Sequence, residues 1–466
     1  MYKKYYFNFK KINDKYLLTN DFGFHTFLSK NDFNKLINNK PLPKHTMIDL
    51  EQNKFIYFES DEEFVRFNKD KIKEFKNYLD SSTVLHIFVV SKNCNYNCIY
   101  CQAGELNQKE DMLMSEEIAK KAVDIAFESP SECLDFEFQG GEPLTNFKII
   151  KFIVEYSKEK NSLIENEKQK HINYNIVSNL SLLTDEMIKY IDENNIFVCT
   201  SIDGNSRLQN INRPYKNDSY NSTINSLKKL CEKNINASAL LTTTKYSLEE
   251  YKSIVDEYIK LGQDRICVRP LTHIGKASKN WDEISYEAED FITFYKNILD
   301  YIIEKNKEGN FIIEGMASIL LSKIINVESP NYMELRSPCG GAIGQMAYYY
   351  DGNIYSCDEG RMLAEMGDKK FYLGNVFEST YKDLLNNDCV KEICNSSTLE
   401  SSSICHSCAY MPYCGICPVL NYSLTGKMEL RSKNDYRCKI NSGILDILFS
   451  YIEKDRNVLK IFKSWL

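Results

Sequence analysis

Between residues 84 and 270 short apolar runs alternate with longer amphipathic stretches. The runs near 84–90, 134–138, 172–177, 196–201, 235–242 and 265–270 have strand length and favour β-branched and aromatic residues. The stretches 115–129, 147–159, 184–194, 219–233 and 248–261 repeat apolar residues every three or four positions, the period of a helix packed on one face. The alternation predicts an α/β domain of six strand–helix units around a parallel sheet, forming an open (β/α)6 barrel. Such a barrel keeps its chemistry on the loops leaving the C-terminal strand ends. Ahead of it, residues 3–28 hold short aromatic runs separated by turn residues such as Asn13-Asp14 and Asp21-Phe22-Gly23, the pattern of a small antiparallel sheet. Helical periodicity follows at 31–39 and 61–79, and after a helix near 286–307 the alternation stops. The resulting division is an α+β module over 1–80, the barrel over 81–310, a cysteine-rich zone over 311–442 and a terminal helix over 443–466.

Charge and composition narrow the setting. The 466-residue chain carries a formal charge of −7, which argues against general affinity for nucleic acid or anionic membrane, since both need a basic face. Acidic pairs such as Glu62-Glu63 read as solvated helix faces. No run approaches the roughly 20 apolar residues that span a bilayer, and the start "MYKKYYFNFKK" lacks an apolar signal core. These features predict a cytoplasmic protein. Sixteen cysteines in a reducing compartment point to metal or catalytic roles rather than disulfides. Cys133, Cys199, Cys231 and Cys267 are scattered among apolar residues and are expected to be small buried hydrophobes. The others form two groups, three between 94 and 101 and nine between 339 and 438.

The first group lies in "SKNCNYNCIYCQ", residues 91–102, directly after the first barrel strand. Three thiolates holding a [4Fe–4S] cluster leave one iron open to an outside ligand. A structural zinc site is the competing reading, but such sites draw four ligands, and the nearest histidine, His86, is expected to pack inside the strand. Cys94, Cys98 and Cys101, spaced Cys-x3-Cys-x2-Cys with Tyr100 before the last, resemble the radical S-adenosylmethionine (SAM) enzymes. In that family the fold is a partial TIM-like barrel, and the methionine amino and carboxylate groups chelate the open iron. "FEFQGGEPL" at 136–144 is similar to the family's Gly-Gly-Glu-Pro turn. The resemblance therefore implies SAM contacts at Gly140, Gly141, Glu142 and Pro143, with the Glu142 carboxylate receiving the SAM ammonium. "NIVSNLS" resembles the segment near the SAM ribose and implies roles for Ser178 and Asn179, although Leu180 stands where glycine is usual. "TSIDG" followed by Arg213-Pro214 resembles the segment in which a serine, here Ser201, meets the ribose and an arginine pairs with the methionine carboxylate. A guanidinium fork suits that partner.

The second group resembles the SPASM domain, which adds two auxiliary [4Fe–4S] clusters to a radical SAM barrel. By position Cys405, Cys408, Cys414 and Cys438 would hold the outer cluster, and Cys339, Cys357 and Cys417 the inner one. Two departures stand out: the last Cys pair is spaced by two residues rather than three, and no cysteine just upstream of Cys339 completes the inner site. That site is left with an open iron or completed by Cys389 or Cys394. Zinc is the alternative occupant of the Cys-x2-Cys pairs. In "CDEGRM" Asp358 and Glu359 follow a cluster cysteine, and in related formylglycine-forming enzymes an aspartate in this place is the general base. A carboxylate there can take the proton lost as a substrate centre is oxidised.

The resemblance implies three [4Fe–4S] clusters, bound SAM, and a 5′-deoxyadenosyl radical that abstracts a substrate hydrogen. It also implies a one-electron donor such as flavodoxin or ferredoxin. Peptide-modifying SPASM enzymes often carry an N-terminal winged-helix-like module that captures a leader peptide by strand addition, and residues 1–80 have the composition for it. "YLLTNDFGFHTFLS" and "SPCGGAIGQMAYYYDGNIYSCDEGRM" most resemble the maturases of His-Xaa-Ser-type peptide systems. The leading expectation is an oxidoreductase that oxidises or cross-links side chains of a ribosomally made precursor peptide. The alternatives are a sulfatase-maturase-like enzyme that makes formylglycine, and a noncatalytic zinc or iron–sulfur scaffold.

Overall fold

The computed structural model describes residues 2–103, 112–216, 218–235 and 237–466. The first module contains β1 (Lys3–Lys4), β2 (Asn8–Ile12), β3 (Lys15–Thr19), β4 (His25–Ser29), α1 (Lys30–Ile37), α2 (Lys44–Gln52), β5 (Ile56–Tyr57) and α3 (Asp61–Phe75). Strands β2, β3 and β4 form the expected antiparallel sheet, and β1 pairs with β5. Ser29 caps α1, and Ser60 with Glu63 forms a capping box that satisfies orphan amides at the start of α3. Leu18, Leu28, Leu36, Leu50, Phe55 and Ile56 give the module its own small core.

Six parallel strands follow: β6 (Leu85–Ser91), β7 (Cys133–Gly140), β8 (His171–Val177), β9 (Phe197–Ser201), β10 (Ala237–Thr242) and β11 (Arg265–Arg269). They are connected through α4 (Glu116–Phe127), α5 (Phe147–Ser162), α6 (Asp185–Glu193), α7 (Ser206–Asn212), α8 (Ser219–Glu232) and α9 (Tyr251–Lys260). Alternate residues such as Leu134, Phe136 and Phe138 of β7 face the helices and are fully buried, which is why the helices cover one face of the sheet. His86 packs inside as expected, with Nδ1 3.0 Å from the Tyr348 hydroxyl, and burial pulls its pKa down to about 3. After α10 (Lys276–Lys279), α11 (Trp281–Ile284) and α12 (Ala288–Lys307), the short β12 (Ile313–Glu314) adds one more parallel strand beside β11.

The cysteine-rich zone does not stand apart from this sheet. After α13 (Gly315–Leu321), β13 (Gln345–Tyr348) pairs parallel with β6 and is continued by antiparallel β14 (Asn353–Tyr355) and β15 (Tyr372–Asn375), making one ten-stranded sheet. Helix α14 (Asp358–Glu365) lies between the last two strands in sequence. It is followed by α15 (Tyr381–Asn386), α16 (Asp388–Ser397), α17 (Pro418–Thr425), α18 (Tyr436–Lys454) and α19 (Arg456–Ser464). Local periodicity ends the sheet at 270, because a pairing between residues 85 and 345 leaves no local trace.

One expectation is corrected: Cys133 and Cys231 are exposed, and Cys199 and Cys267 are partly buried. All sixteen cysteines are free thiols. Among the described residues no helix is long and apolar enough to cross a membrane.

Candidate active site

At the C-terminal ends of the barrel strands a cavity of about 260 Å³ opens, lined on one side by Cys94, Cys98 and Cys101. The loop bearing them is pinned by backbone bonds from Asn97 to Pro214 and from Ile99 to Asn212, both 2.9 Å, which set it against the Arg213 segment. Lys276 N–H donates to the Cys101 carbonyl at 2.7 Å. That approach needs Gly275, whose φ is +64° and whose Cβ would lie 2.3 Å from the Gln102 oxygen. Gly140 is equally constrained, since a Cβ there would meet the Ser91 oxygen at 1.9 Å. The Gly-Gly turn therefore lies directly against the cysteine loop.

Glu142 sits behind this wall rather than in it. Its buried carboxylate accepts from Ser178 Oγ at 2.7 Å, Asn179 N–H at 2.8 Å and Leu144 N–H at 3.0 Å, tying the end of β7 to the end of β8. Burial pushes its pKa up to about 7 against those three donors. Pro143 starts the short turn Pro143–Asn146 beside it and is also buried. Gly140, Gly141, Ser178, Asn179 and Ser201 do line the cavity. Leu180 adopts φ +62°, the left-handed conformation that suits a glycine.

Arg213 lines the cavity too, but with a partner the sequence reading did not assign. Its Nε lies 3.1 Å from the buried carboxylate of Asp203, which also accepts from the Tyr100 hydroxyl at 2.6 Å and from Thr242 N–H at 3.2 Å. The guanidinium stands 5.1 Å over the Tyr100 ring. Asp203 thus holds Tyr100 and Arg213 in place, and its signal was the aspartate of "TSIDG" itself.

The opposite wall comes from β11 and the C-terminal domain: Arg269, Tyr332, Glu334, Glu359, Met362, Leu420 and Arg437. Of the two expected bases, only Glu359 faces the cavity. Burial first, then the charges of Glu334 and Asp358, push its pKa up to about 7. Asp358 is held in an ion pair by the buried guanidinium of Arg361, which also binds Glu365 at 3.2 Å. Arg269 donates to the Tyr332 hydroxyl at 3.1 Å, and Arg437 pairs with Glu334 at 2.7 Å. Sequence reasoning placed Arg269 only at the end of a strand, and it carried no motif for Glu334 or Arg437.

The C-terminal thiols fall into two places. Cys405, Cys408, Cys414 and Cys438 line a second cavity of about 80 Å³ with Cys417 at its side. Cys339 and Cys357 are buried, and Cys357 caps α14, its sulfur accepting from Gly360 N–H at 3.3 Å. Burial, then Glu359, Cys417 and Cys339, push the Cys357 thiol up. Cys389 lies near Lys370 and Glu392, and Cys394 shares the neighbouring guanidinium of Arg336 with Cys339. Among the described residues no three His, Cys, Asp or Glu side chains converge closely enough for a single metal ion. The first three thiols and those from Cys405 to Cys438 instead line shared cavities, and burial keeps Cys98 near 12 and Cys94 higher still. Ionising them requires a cationic partner such as iron, so the donor sets fit iron–sulfur clusters.

Residues 88–258 match the radical SAM superfamily, and residues 339–409 match SPASM, an iron–sulfur cluster-binding domain. The chain belongs to the radical SAM superfamily. It is 31% identical over 228 residues to an uncharacterized protein of Methanocaldococcus jannaschii, covering 49% of this chain and 72% of that one. It is 24% identical over 335 residues to a cysteine-type anaerobic sulfatase-maturating enzyme of Clostridium novyi, covering 70% and 84%. Among solved structures, anSMEcpe with bound AdoMet aligns with a TM-score of 0.68 at 20% identity, over 82% of this chain and 100% of that one. Streptococcus suis SuiB bound to its precursor peptide SuiA aligns at 0.57 and 18%, over 93% and 99%. This radical SAM enzyme with a SPASM domain uses SAM and [4Fe–4S] clusters.

Proposed function

We propose that the protein is a peptide maturase that oxidises or cross-links side chains of a ribosomally made precursor. The observation that carries this reading is the shared cavity, with Cys94, Cys98 and Cys101 on one wall and Glu359, Glu334 and Arg437 of the C-terminal domain on the other. A substrate side chain in that space would meet both the radical source and a carboxylate. The first three cysteines hold the SAM-binding cluster, while Tyr100, Gly140, Gly141, Ser178, Asn179, Ser201 and Arg213 shape the SAM wall and Glu142 with Pro143 supports it from behind. The C-terminal thiols hold two auxiliary clusters. The chemistry supplied on binding SAM and the clusters is hydrogen abstraction by a 5′-deoxyadenosyl radical followed by removal of an electron. The chain's own part is to position the side chain, exclude water and take up the released proton, for which Glu359 is the carboxylate that lines the cavity.

The formylglycine reading would ask the same of Asp358, which is committed to Arg361. SuiB is described with a bound precursor peptide, and this chain has an antiparallel-sheet module to which a leader could add as a strand. We further place the protein in the cytoplasm, where its free thiols stay reduced, with a flavodoxin- or ferredoxin-type protein as electron donor. The test is mass spectrometry of a precursor peptide encoded beside the protein after incubation with the full, anaerobically reconstituted chain, SAM and reductant. Loss of hydrogen from core residues, dependent on the leader, is the expected result. Conversion of a short leaderless Cys or Ser motif to formylglycine would overturn it.

A further inference from the structure

The segment leading from the barrel into the C-terminal domain is irregular in two ways. Helix α13 runs into a π-helical turn, Ser322–Asn326, which ends at Val327 with φ +57° and ψ +33°. A left-handed conformation is strained for a β-branched residue, and π-turns are rare and concentrated at functional sites. The effect of this turn is to carry Lys323 inward. Lys323 is 3% exposed. Its ammonium donates to the Leu335 carbonyl at 2.8 Å and lies 6.0 Å over the Phe75 ring.

A buried ammonium with so few partners is costly unless an anion faces it. Lys323 shares a cavity of about 20 Å³ with Asp21, Glu400 and Cys414. Neither carboxylate is within ion-pair distance of it, and Glu400 is committed to Lys76 and to the Ser337 hydroxyl at 2.6 Å. The π-turn packs against Met411–Tyr413, the turn immediately before Cys414. Burial pulls the pKa of Lys323 down to about 8, and a thiolate at Cys414 would be the first effect to oppose it.

We propose that Lys323 is the counter-charge of the outer iron–sulfur cluster, set behind its Cys414 ligand to raise the reduction potential of that cluster. The inference rests on the reading that Cys405, Cys408, Cys414 and Cys438 hold a cluster. A fixed positive charge stabilises the reduced, more negative state, and net charge near a cluster is one of the determinants of its potential. Lys323 meets no substrate and acts through Cys414, so it is a positioning residue that makes the outer cluster a better electron acceptor.

The experiment is a potentiometric titration followed by electron paramagnetic resonance, with iron counting, on the full reconstituted chain and on Lys323→Met and Lys323→Arg. Methionine keeps the length of the stem and removes the charge, whereas arginine keeps the charge. The expected result is unchanged iron in Lys323→Met, with the outer-cluster midpoint lowered by at least a tenfold change in the redox equilibrium, about 59 mV for one electron. The SAM-binding cluster should not move, and Lys323→Arg should restore most of the shift. An unmoved outer potential in Lys323→Met at full iron content overturns the proposal and leaves the cluster reading intact. Loss of about four irons in both variants also overturns it, since the lysine would then serve the fold of the site. If Cys405→Ala with Cys408→Ala loses no iron relative to the parent chain, the cluster reading fails, and the proposal fails with it.

Discussion

Leu180 keeps a backbone position that suits glycine. With φ +62° and 1% exposure, it pays for the left-handed conformation and recovers the cost through burial. The usual order of small replacements should therefore reverse: Leu180→Gly should be more stable than Leu180→Ala by about 1 kcal/mol in urea unfolding. Glu142 gives a pH signature. Its carboxyl titrates at about 7 in the fold against 4.5 normally, so between those values the unfolded chain ionises first and stability falls as pH rises, then levels above 7. Glu142→Gln lacks that slope. Relative to it, the parent apo chain should lose on the order of 3 kcal/mol between pH 4.5 and pH 8. Glu359 and Asp358 should separate cleanly: Glu359→Gln should abolish peptide oxidation and leave SAM binding unchanged. Asp358→Asn should chiefly cost stability, roughly 1–3 kcal/mol, because Arg361 loses one of its two carboxylate partners and keeps Glu365.

Among the elements, the strands and helices of the barrel follow the periodicity closely, since each buries one face against its neighbours and the pattern is local. The cysteine loop after β6 was equally legible, because its spacing is a property of consecutive residues. Replacing Cys94, Cys98 and Cys101 with alanine should remove about four irons and abolish reductive SAM cleavage, with the C-terminal clusters retained; cleavage in that variant would refute the assignment. Less legible were the partners of the motif residues. Asp203 beneath Arg213 and Glu334 beside Arg437 are set by contacts between separate segments that no spacing announces, whereas Arg361 beside Asp358 is an i,i+3 pair within α14.

At the scale of the molecule, the first module is joined to the cysteine-rich zone. Thr19 Oγ1 donates to the Ala409 carbonyl at 2.8 Å, Asn8 Nδ2 to the His406 carbonyl at 2.9 Å, and the Tyr413 hydroxyl to the Gly23 carbonyl at 3.0 Å. Lys10 pairs with Asp446 of α18 at 2.7 Å. These contacts surround the loop of Cys405 and Cys408, so the module over 1–80 and the cysteine-rich zone are mechanically joined. A chain beginning near Ser81 should bind fewer irons at its C-terminal sites and aggregate more than the full chain, as iron counting and light scattering would show.

The sequence by itself determined the class of fold, the order of strands and helices, the cysteine triad and the crowding of the other thiols toward the C-terminus, because periodicity and spacing are local quantities. Only the tertiary structure decided which carboxylate faces the cavity, that β13 extends the barrel sheet beside β6, that Glu142 supports the Gly140–Gly141 wall of the cavity from behind, and that Lys323 shares a cavity with Cys414. Each of these depends on which distant residues share one low-dielectric space, where burial and unpaired charge carry their largest energies.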